Sequence, residues 1–288
     1  MERFVLAALL TLILRLFFTL TYAQENELDD EEIVNFHLST TDTRRQQRFR
    51  HMRDCCDLQK AGAQVSVRGF HRVDVHCPEE TNYLSNKVHC SRHVYCDFET
   101  DGGGWTVIQQ RRDGSMDFRQ NWNSYKMGFG NDQEFWIGNE YLHQISLYRL
   151  RNAGLQLRIE LIDADGQLHV DEWIGFYVSP EKFNYLLLLG IYRGTSKVDN
   201  LLRNRGRPFA TYDRDQGVFA NIKCAAYWQT AWWVHPRCLS EGGLNAPNYD
   251  QQLDDQEAVH IEGIFWRTKY GRVRVAASRM MVRPLSYR

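Results

Sequence analysis

The amino-acid sequence predicts a domain built mostly of short β-strands, with two helices and a long loop region. Three patterns support this organisation. Residues 155–161 alternate between apolar and polar side chains, as in a strand with one buried face. Asp165-Gly166 follows as a hairpin turn signal. Residues 190–247 are rich in Gly, Asn, Asp and Arg with few strand-like runs, which is typical of loops that carry function.

The N-terminus predicts a secreted protein. Arg3 precedes an apolar run over residues 4–20, and Thr21-Tyr22-Ala23 then offers small residues on both sides of its tyrosine, as a signal-peptide cleavage site does. An uncleaved signal anchor is the alternative, because the run approaches membrane-spanning length. Arg15 inside the run and the cleavage motif favour cleavage. We therefore expect residues 1–23 to be a signal peptide and the mature chain to be extracellular, with no membrane span after cleavage.

Residues 24–52 predict a flexible charged linker. An acidic stretch at 25–32 gives way to a basic stretch at 44–50, and apolar residues are few. Segregated charge of this kind is typical of disordered segments. The globular domain is therefore expected to cover residues 53–288.

The elements of the domain follow from local patterns. A short helix is expected after Asp54, which is a typical N-cap, with Gly62 ending it. A second helix is expected over 139–147, with Tyr141, Leu142 and Ile145 on its buried face. The strands are expected at 105–108, 155–161, 168–178, 259–265 and 273–282.

Cysteine usage agrees with secretion, since an oxidising compartment favours disulfides. The seven cysteines are Cys55, Cys56, Cys77, Cys90, Cys96, Cys224 and Cys238. Because seven is an odd number, one thiol is left free or available to a partner chain. Zinc bound by the His and Cys residues between 76 and 96 is the weaker interpretation, since no paired C-x-x-C knuckle is present.

Composition and motifs exclude several classes of function. A formal net charge of −1 over 288 residues gives no electrostatic basis for binding nucleic acid. The sequence contains no Gly-x-Ser-x-Gly elbow, no His-Glu-x-x-His and no phosphate-binding loop, so we expect no enzymatic activity. The 13% aromatic content indicates a loop-rich domain packed on rings, or a recognition surface.

Several blocks of the chain resemble the fibrinogen C-terminal domain, in family order and at near-family spacing. They are RDC at 53–55, YCDFETDGGGWTV at 95–107, FRQNW at 118–122, YKMGFG at 125–130, EFWIGNE at 134–140, DRD at 213–215, AWW at 231–233, LN at 244–245 and MVRP at 281–284. The resemblance covers about 53–285. It implies an α+β fold with a small N-terminal subdomain, a central antiparallel sheet with helices and a loop-rich binding subdomain, stabilised by disulfides.

The resemblance also implies two disulfides, Cys55–Cys96 and Cys224–Cys238. Cys77–Cys90 is then the natural third pair, closing a local loop that the family does not generally carry. Cys56 is left over. Neighbouring helix side chains diverge by about 100°, so Cys56 is the candidate for an intermolecular bridge in a disulfide-linked homodimer, unless Cys55 and Cys56 exchange roles.

The family holds calcium in the loop before the second bridge, with two carboxylates from an Asp-x-Asp-x-Asp run. Here Gly217 stands in place of the third Asp, and loss of a carboxylate weakens such a site. A register shift would make Asp213 and Asp215 the ligands, with Gly217 and Phe219 contributing backbone oxygens. The alternative is that both Asp residues are solvated turn residues. Calcium is thus the candidate cofactor, at a site degraded relative to the family, and the solvated-turn interpretation is slightly favoured over it.

Ficolin-like and tachylectin-like members hold an acetyl group in a pocket beside the same bridge. The corresponding positions here are Trp228, Arg237, Cys238, Leu239, His260 and Ile261. Leu239 replaces a family His that makes a polar contact, and Ile261 replaces an Ala and so fills ligand volume. Both changes weaken an acetyl-lectin function. Trp228, Trp232 and Trp233 would either stack on a sugar or pack within the loops, and packing is favoured for the last two.

Two non-enzymatic functions follow from the resemblance. The favoured one is a secreted recognition protein that binds an extracellular or cell-surface protein, as angiopoietin-like relatives do. The alternative is a calcium-dependent lectin that recognises acetylated glycans in innate immunity. The interface is expected within 193–247, where Arg193, Arg203, Arg205 and Arg207 would meet an acidic partner. A solvated loop is the other interpretation of these arginines.

Overall fold

Residues 52–62, 68–76, 89–151, 154–215, 218–219, 222–238, 243–247 and 264–287 are described by the structure, a computed structural model. They belong to a unit that spans His51–Arg288. The predicted signal peptide at 1–23 and all of the predicted linker except Met52 lie outside the described residues. The same is true of Cys77, Gly217, Leu239, His260 and Ile261.

Short helices and short strands alternate along the described chain. The helices are α1 Cys55–Lys60, α2 Trp122–Met127, α3 Asn139–Leu150 and α4 Cys224–Tyr227. The strands are β1 Gly69–His76, β2 His89–Asp97, β3 Trp105–Arg111, β4 Phe129–Gly130, β5 Phe135–Trp136, β6 Leu155–Asp163, β7 Leu168–Val178, β8 Leu187–Leu188, β9 Tyr192–Gly194, β10 Val218–Phe219, β11 Ile222–Lys223, β12 Phe265–Thr268 and β13 Gly271–Pro284.

The main sheet has the strand order β1-β2-β3-β13-β6-β7-β8. β12 pairs with β13, β9 with β7, and the short β4–β5 pair joins through β3, while β10 and β11 form a separate hairpin. Every pairing in the described part is antiparallel. The expected α+β fold with a central antiparallel sheet is therefore confirmed.

Most local predictions agree with the observed elements. Strand β7 has the expected bounds, and the predicted strand at 155–161 extends by two residues because β6 remains paired to Asp163. Helix α3 starts at Asn139 as expected but continues to Leu150. Asp54 caps α1, and Gly62, at φ +68°, lies in the left-handed region just after the C-cap Ala61.

Most of the strand expected at 259–265 lies outside the described residues, so it stays a prediction over 259–263. In the described part, Ile264 is not in a strand and β12 covers Phe265–Thr268, beyond the expected end. The physical reason is hairpin pairing, since Phe265 is opposite Arg274 and Thr268 is opposite Gly271. The partner strand β13 thus determines where β12 lies, and local hydropathy does not.

A buried ion pair fixes the N-terminal helix to α3. Asp54 accepts the Asp57 backbone N–H at 3.0 Å, as an N-cap does. Arg149 donates to the two Asp54 oxygens at 2.7 and 2.6 Å, and to an oxygen of Asp57 at 2.5 Å. Asp54 and Arg149 are both buried. Because Cys55 in the same helix is bridged to Cys96, α1 is held at two points.

Asp54→Ala is expected to lower the free energy of unfolding by about 3 kcal/mol, because it removes the α1 cap and leaves the buried Arg149 with only Asp57. Urea denaturation followed by tryptophan fluorescence measures this change. Asp132→Ala removes an exposed carboxylate, and this control should change the value by less than about 0.5 kcal/mol. A loss no larger than that of the control would contradict the prediction.

Candidate functional site

A layer of aromatic rings supports the loop region. The ring centroids of Trp136 and Phe209 are 5.9 Å apart, those of Phe209 and Trp233 are 5.2 Å apart, and those of Trp136 and Trp233 are 6.1 Å apart. Tyr125 joins the layer at 5.3 Å from Phe209. All four side chains are buried. Aromatic packing below the loops therefore accounts for much of the unusual aromatic content.

Trp232 and Trp233 belong to this buried layer. Both side chains are at most 1% exposed, and their rings meet edge-on at 5.1 Å. Trp233 Nε1 donates to the Tyr185 carbonyl at 2.7 Å, and Trp232 exchanges backbone hydrogen bonds with Ala210. The expectation that these two tryptophans pack within the loop region is confirmed, and neither ring is available to a sugar.

The disulfide between Cys224 and Cys238 closes the segment that carries the expected acetyl pocket. Trp228 Nε1 donates to the Cys238 carbonyl at 2.8 Å, and the half-buried Trp228 ring packs edge-on against Tyr227. Arg237 is exposed beside the bridge. The other three expected pocket residues lie outside the described chain, so the acetyl pocket stays a prediction.

The two candidate calcium carboxylates already accept hydrogen bonds. Asp213 accepts the Trp122 backbone N–H at 3.0 Å and the Thr211 hydroxyl at 2.6 Å. Asp215 accepts the Ala225 backbone N–H at 2.6 Å, and Phe219 is described only as backbone of β10. Among the residues that the structure describes, no three His, Cys, Asp or Glu side chains form a metal cluster. Calcium takes about six to eight oxygen ligands, and the described candidate ligands Asp213, Asp215 and Phe219 are fewer. Calcium binding therefore stays a prediction.

Three arginines gather around His235, next to the bridge. Burial, and then the positive charges of Arg207, Arg203 and Arg237, lower the pKa of His235. The imidazole is therefore neutral at neutral pH, and the arginines carry the charge of the surface. Arg203 and Arg237 are exposed and Arg207 is half-buried. We call these four residues the basic patch.

The basic patch differs from the arginine cluster expected from the sequence. Arg205 forms an ion pair with Asp199, and Arg193 lies in β9, opposite Glu172 of β7. Arg237 was not among the expected arginines but belongs to the basic patch. No local sequence pattern indicates that Arg237 lies near Arg203 and Arg207.

A tertiary hydrogen bond brings the two segments of the basic patch together. The buried Asn204 donates from Nδ2 to the carbonyl of Trp233 at 2.7 Å. Arg203 and His235 are near neighbours of these two residues in the chain. The contact is therefore the structural reason why residues 203–207 and 235–237 share one surface.

Exposed leucines adjoin the basic patch. Leu202 directly precedes Arg203 and is 60% exposed, and Leu188 of β8 is 47% exposed. Strand β8 lies alongside the patch because the Leu187 N–H donates to the Arg207 carbonyl at 3.0 Å. Arginine is enriched at protein interfaces, and the exposed leucines add apolar area next to it.

Cys56 is a free cysteine and is fully buried, while Cys55 forms the disulfide with Cys96. Burial raises the pKa of the Cys56 thiol to about 11. This position disagrees with the expected intermolecular bridge through Cys56. The physical reason is that α1 packs against β2, β3 and β13, which covers both cysteines. Cys90 is described only as backbone of β2, so the Cys77–Cys90 pair stays a prediction.

The antiparallel sheet, the short helices and the disulfide-closed loop region together define a fibrinogen-like globe domain. The family model of fibrinogen beta and gamma chains, C-terminal globular domain, matches residues 51–285, and the chain belongs to this family. Among solved structures, the fibrinogen-like globe domain of human ANGPTL6 matches with a TM-score of 0.63 at 30% identity, over 82% of this chain and 96% of that domain.

Two curated relatives illustrate the similarity in sequence. Angiopoietin-1 of Canis lupus familiaris is 34% identical over 237 residues, which is 82% of this chain and 43% of angiopoietin-1. Ficolin-3 of Homo sapiens is 36% identical over 220 residues, which is 76% of this chain and 66% of ficolin-3. This chain therefore spans less than two thirds of the length of either relative. No helix in the described part combines the length and hydropathy needed to cross a membrane.

The Cys56 thiol is expected to resist iodoacetamide in the folded protein at pH 8, because it is buried and its pKa is about 11. The reaction should become appreciable only as the pH approaches that value, or after unfolding in guanidinium. Mass spectrometry of the tryptic peptide ending at Lys60 gives the extent of labelling. Labelling at equal rates in folded and unfolded protein, or a covalent dimer that Cys56→Ser abolishes, would contradict the prediction.

Arg237→Gln is expected to raise the pKa of His235, because it removes one of the three positive charges that disfavour the imidazolium. A pH titration of the His235 ring proton by NMR measures this pKa, with His235→Gln identifying the signal. Arg151→Gln, an exposed substitution outside the patch, is the control and should leave the titration unchanged. The same pKa in wild type and Arg237→Gln would show that the patch is not assembled.

Proposed function

We propose that this chain is a secreted, non-enzymatic recognition protein that binds an acidic surface of an extracellular or cell-surface protein. The observation that carries the proposal is the basic patch of Arg203, Arg207, His235 and Arg237, together with the adjoining leucines. Arginine forms planar, charge-assisted hydrogen bonds with carboxylates, and exposed leucine adds apolar contact area. A partner surface with carboxylates around an apolar centre would match the arginines and leucines of this region.

The energetics of the patch favour an anionic partner. The positive charges of Arg207, Arg203 and Arg237 all disfavour the imidazolium of His235, so the potential at this surface is positive. Arg207 Nε is also buried without an acceptor in the described part of the chain. A positive site of this kind attracts carboxylates of a partner and accelerates association.

Membership of the family and the N-terminal sequence support the rest of the proposal. The signal-like segment at 1–23 and the two disulfides support secretion. Angiopoietin-1 and ficolin-3 are similar over this domain only, so the partner is inferred from the chemistry of the basic patch and not from a relative.

A calcium-dependent lectin for acetylated glycans is the second candidate. The half-buried Trp228 beside the bridge is the feature that favours it, since a tryptophan ring is a common sugar platform. Burial of Trp232 and Trp233 counts against it. So do the carboxylates of Asp213 and Asp215, which are already engaged in hydrogen bonds with the chain.

The test compares binding of the fluorescently labelled full chain to cultured cells, measured by flow cytometry. Arg203→Glu, Arg207→Glu and Arg237→Glu combined should weaken binding at least about tenfold, because charge reversal at a desolvated contact costs several kcal/mol. Arg72→Glu, Arg119→Glu and Arg151→Glu combined is the matched control, since all three side chains are exposed and the change in net charge is identical. The control should bind like wild type.

Treatments of the cells distinguish the two candidate functions. Trypsin treatment of the cells should abolish binding, whereas N-acetylglucosamine and calcium chelation should leave it unchanged. Competition by N-acetylglucosamine, loss on chelation and normal binding of the patch variant would instead establish the lectin. Equal weakening by the patch variant and its control would contradict the assignment of the interface.

A further inference from the structure

A second cleft lies between β2 and the segment that connects α2 with β5 and contains β4, and it shares no residue with the basic patch. Its volume is about 330 Å³. The residues that line it include Phe70, Arg92, Tyr95, Phe135 and the segment from Gly128 to Asp132. Pockets for small ligands measure about 300–1,000 Å³, so the cleft has room for one small molecule.

Three aromatic rings form one wall of the cleft. Phe70 meets Tyr95 edge-on at 5.3 Å and lies 5.9 Å from Phe135, and Tyr95 lies 6.1 Å from Phe135. Tyr95 and Phe135 pack with Trp105 and Met281 in the core, which fixes the wall. Phe70, by contrast, is 44% exposed. The wall therefore offers a preformed surface to an aromatic or other apolar group.

Arg92 supplies the charge in the cleft. Its Nη2 donates to the Met127 carbonyl at 2.7 Å, and its guanidinium carbon lies 5.6 Å from the centre of the Tyr141 ring. Its Nε is buried without an acceptor, and no carboxylate of the described residues pairs with it. Burial lowers the pKa of Arg92, and the nearby Tyr141 offsets this effect only in part.

The three buried arginines of the described residues, in contrast to the half-buried Arg92, are paired with acids. Arg149 meets Asp54 at 2.6 Å, and Arg283 meets Asp101 at 2.8 Å. A partly desolvated guanidinium without an anion is costly, so Arg92 departs from the pattern of its own fold. A carboxylate that entered the cleft would supply the missing partner.

Gly128 provides the space that the guanidinium occupies. Its φ is +91°, a conformation that favours glycine. A Cβ at this position would collide with Arg92 Nη2 and with the Ile137 carbonyl. Arg92 is therefore held against this segment before any ligand arrives, which lowers the entropic cost of binding.

We propose that this cleft binds a small aromatic carboxylate, with the carboxylate on Arg92 and the ring against Phe70. The guanidinium provides charge-assisted hydrogen bonds, and the aromatic wall provides apolar contact. Asp132 is an exposed carboxylate of the lining segment, and its repulsion directs the anionic end of the ligand toward Arg92. A free aromatic acid and a peptide ending in an aromatic residue share this chemistry.

Isothermal titration of the full chain with 3-phenylpropionate and with its uncharged amide tests the proposal. The acid should bind saturably and the amide at least about tenfold more weakly, as expected for loss of a charge-assisted hydrogen bond. Arg92→Gln should weaken binding of the acid to the level of the amide. Phe70→Ser should weaken both ligands. Phe183→Ser, which removes an exposed ring elsewhere, is the control and should change neither.

The peptide Gly-Gly-Phe, with a free or an amidated C-terminus, distinguishes the two sources of ligand. Tighter binding of the free-carboxyl peptide than of 3-phenylpropionate identifies a peptide terminus, and weaker binding identifies a free acid. Equal affinities for acid and amide, or unchanged affinity in Arg92→Gln, would overturn the proposal. Failure of the folded wild type to bind the acid, or unchanged affinity in Phe70→Ser, would overturn it as well, and circular dichroism verifies folding of each variant.

Discussion

Strand β13 pairs with β3 along one edge and with β6 along the other, and the two halves of the sheet meet on it. Met280 and Met281 of this strand are completely buried. Arg279 in the same strand donates to Asp97 and to Glu160, at 2.8 and 2.5 Å. Hydrophobic burial and charged hydrogen bonds therefore act on neighbouring residues of the same strand. Because β13 lies near the end of the chain, the sheet depends on contacts of large sequence separation.

Hydrogen bonds to this sheet hold the loop region in place. Gln109 of β3 donates to the side-chain oxygen of Asn245 at 3.2 Å, and Asn245 donates to the Ala231 carbonyl at 3.1 Å. Two residues further along, the Trp233 carbonyl accepts from Asn204. Buried amide side chains thus connect the rigid sheet to the loops of the basic patch. A surface supported in this way has a defined geometry although most of it is loop.

Elements with a strong local signal were predictable. The alternation at 155–161, the Asp165-Gly166 turn and the apolar face of Tyr141, Leu142 and Ile145 all have their expected places. Such patterns depend on residues close in sequence, so each element carries its own signal. The bounds of β12 depend instead on its pairing with β13.

The sequence by itself determined the fold and the two described disulfides through its resemblance to the family, because the motif blocks carry that information, and it favoured packing of Trp232 and Trp233 within the loops. Only the tertiary structure decided which charges share a surface. Arg237 joins Arg203 and Arg207 because Asn204 binds the Trp233 backbone, and Cys56 is covered because α1 packs on the sheet. Among the described residues no acid pairs with Arg92, for the same kind of reason, since long-range packing decides which side chains become neighbours.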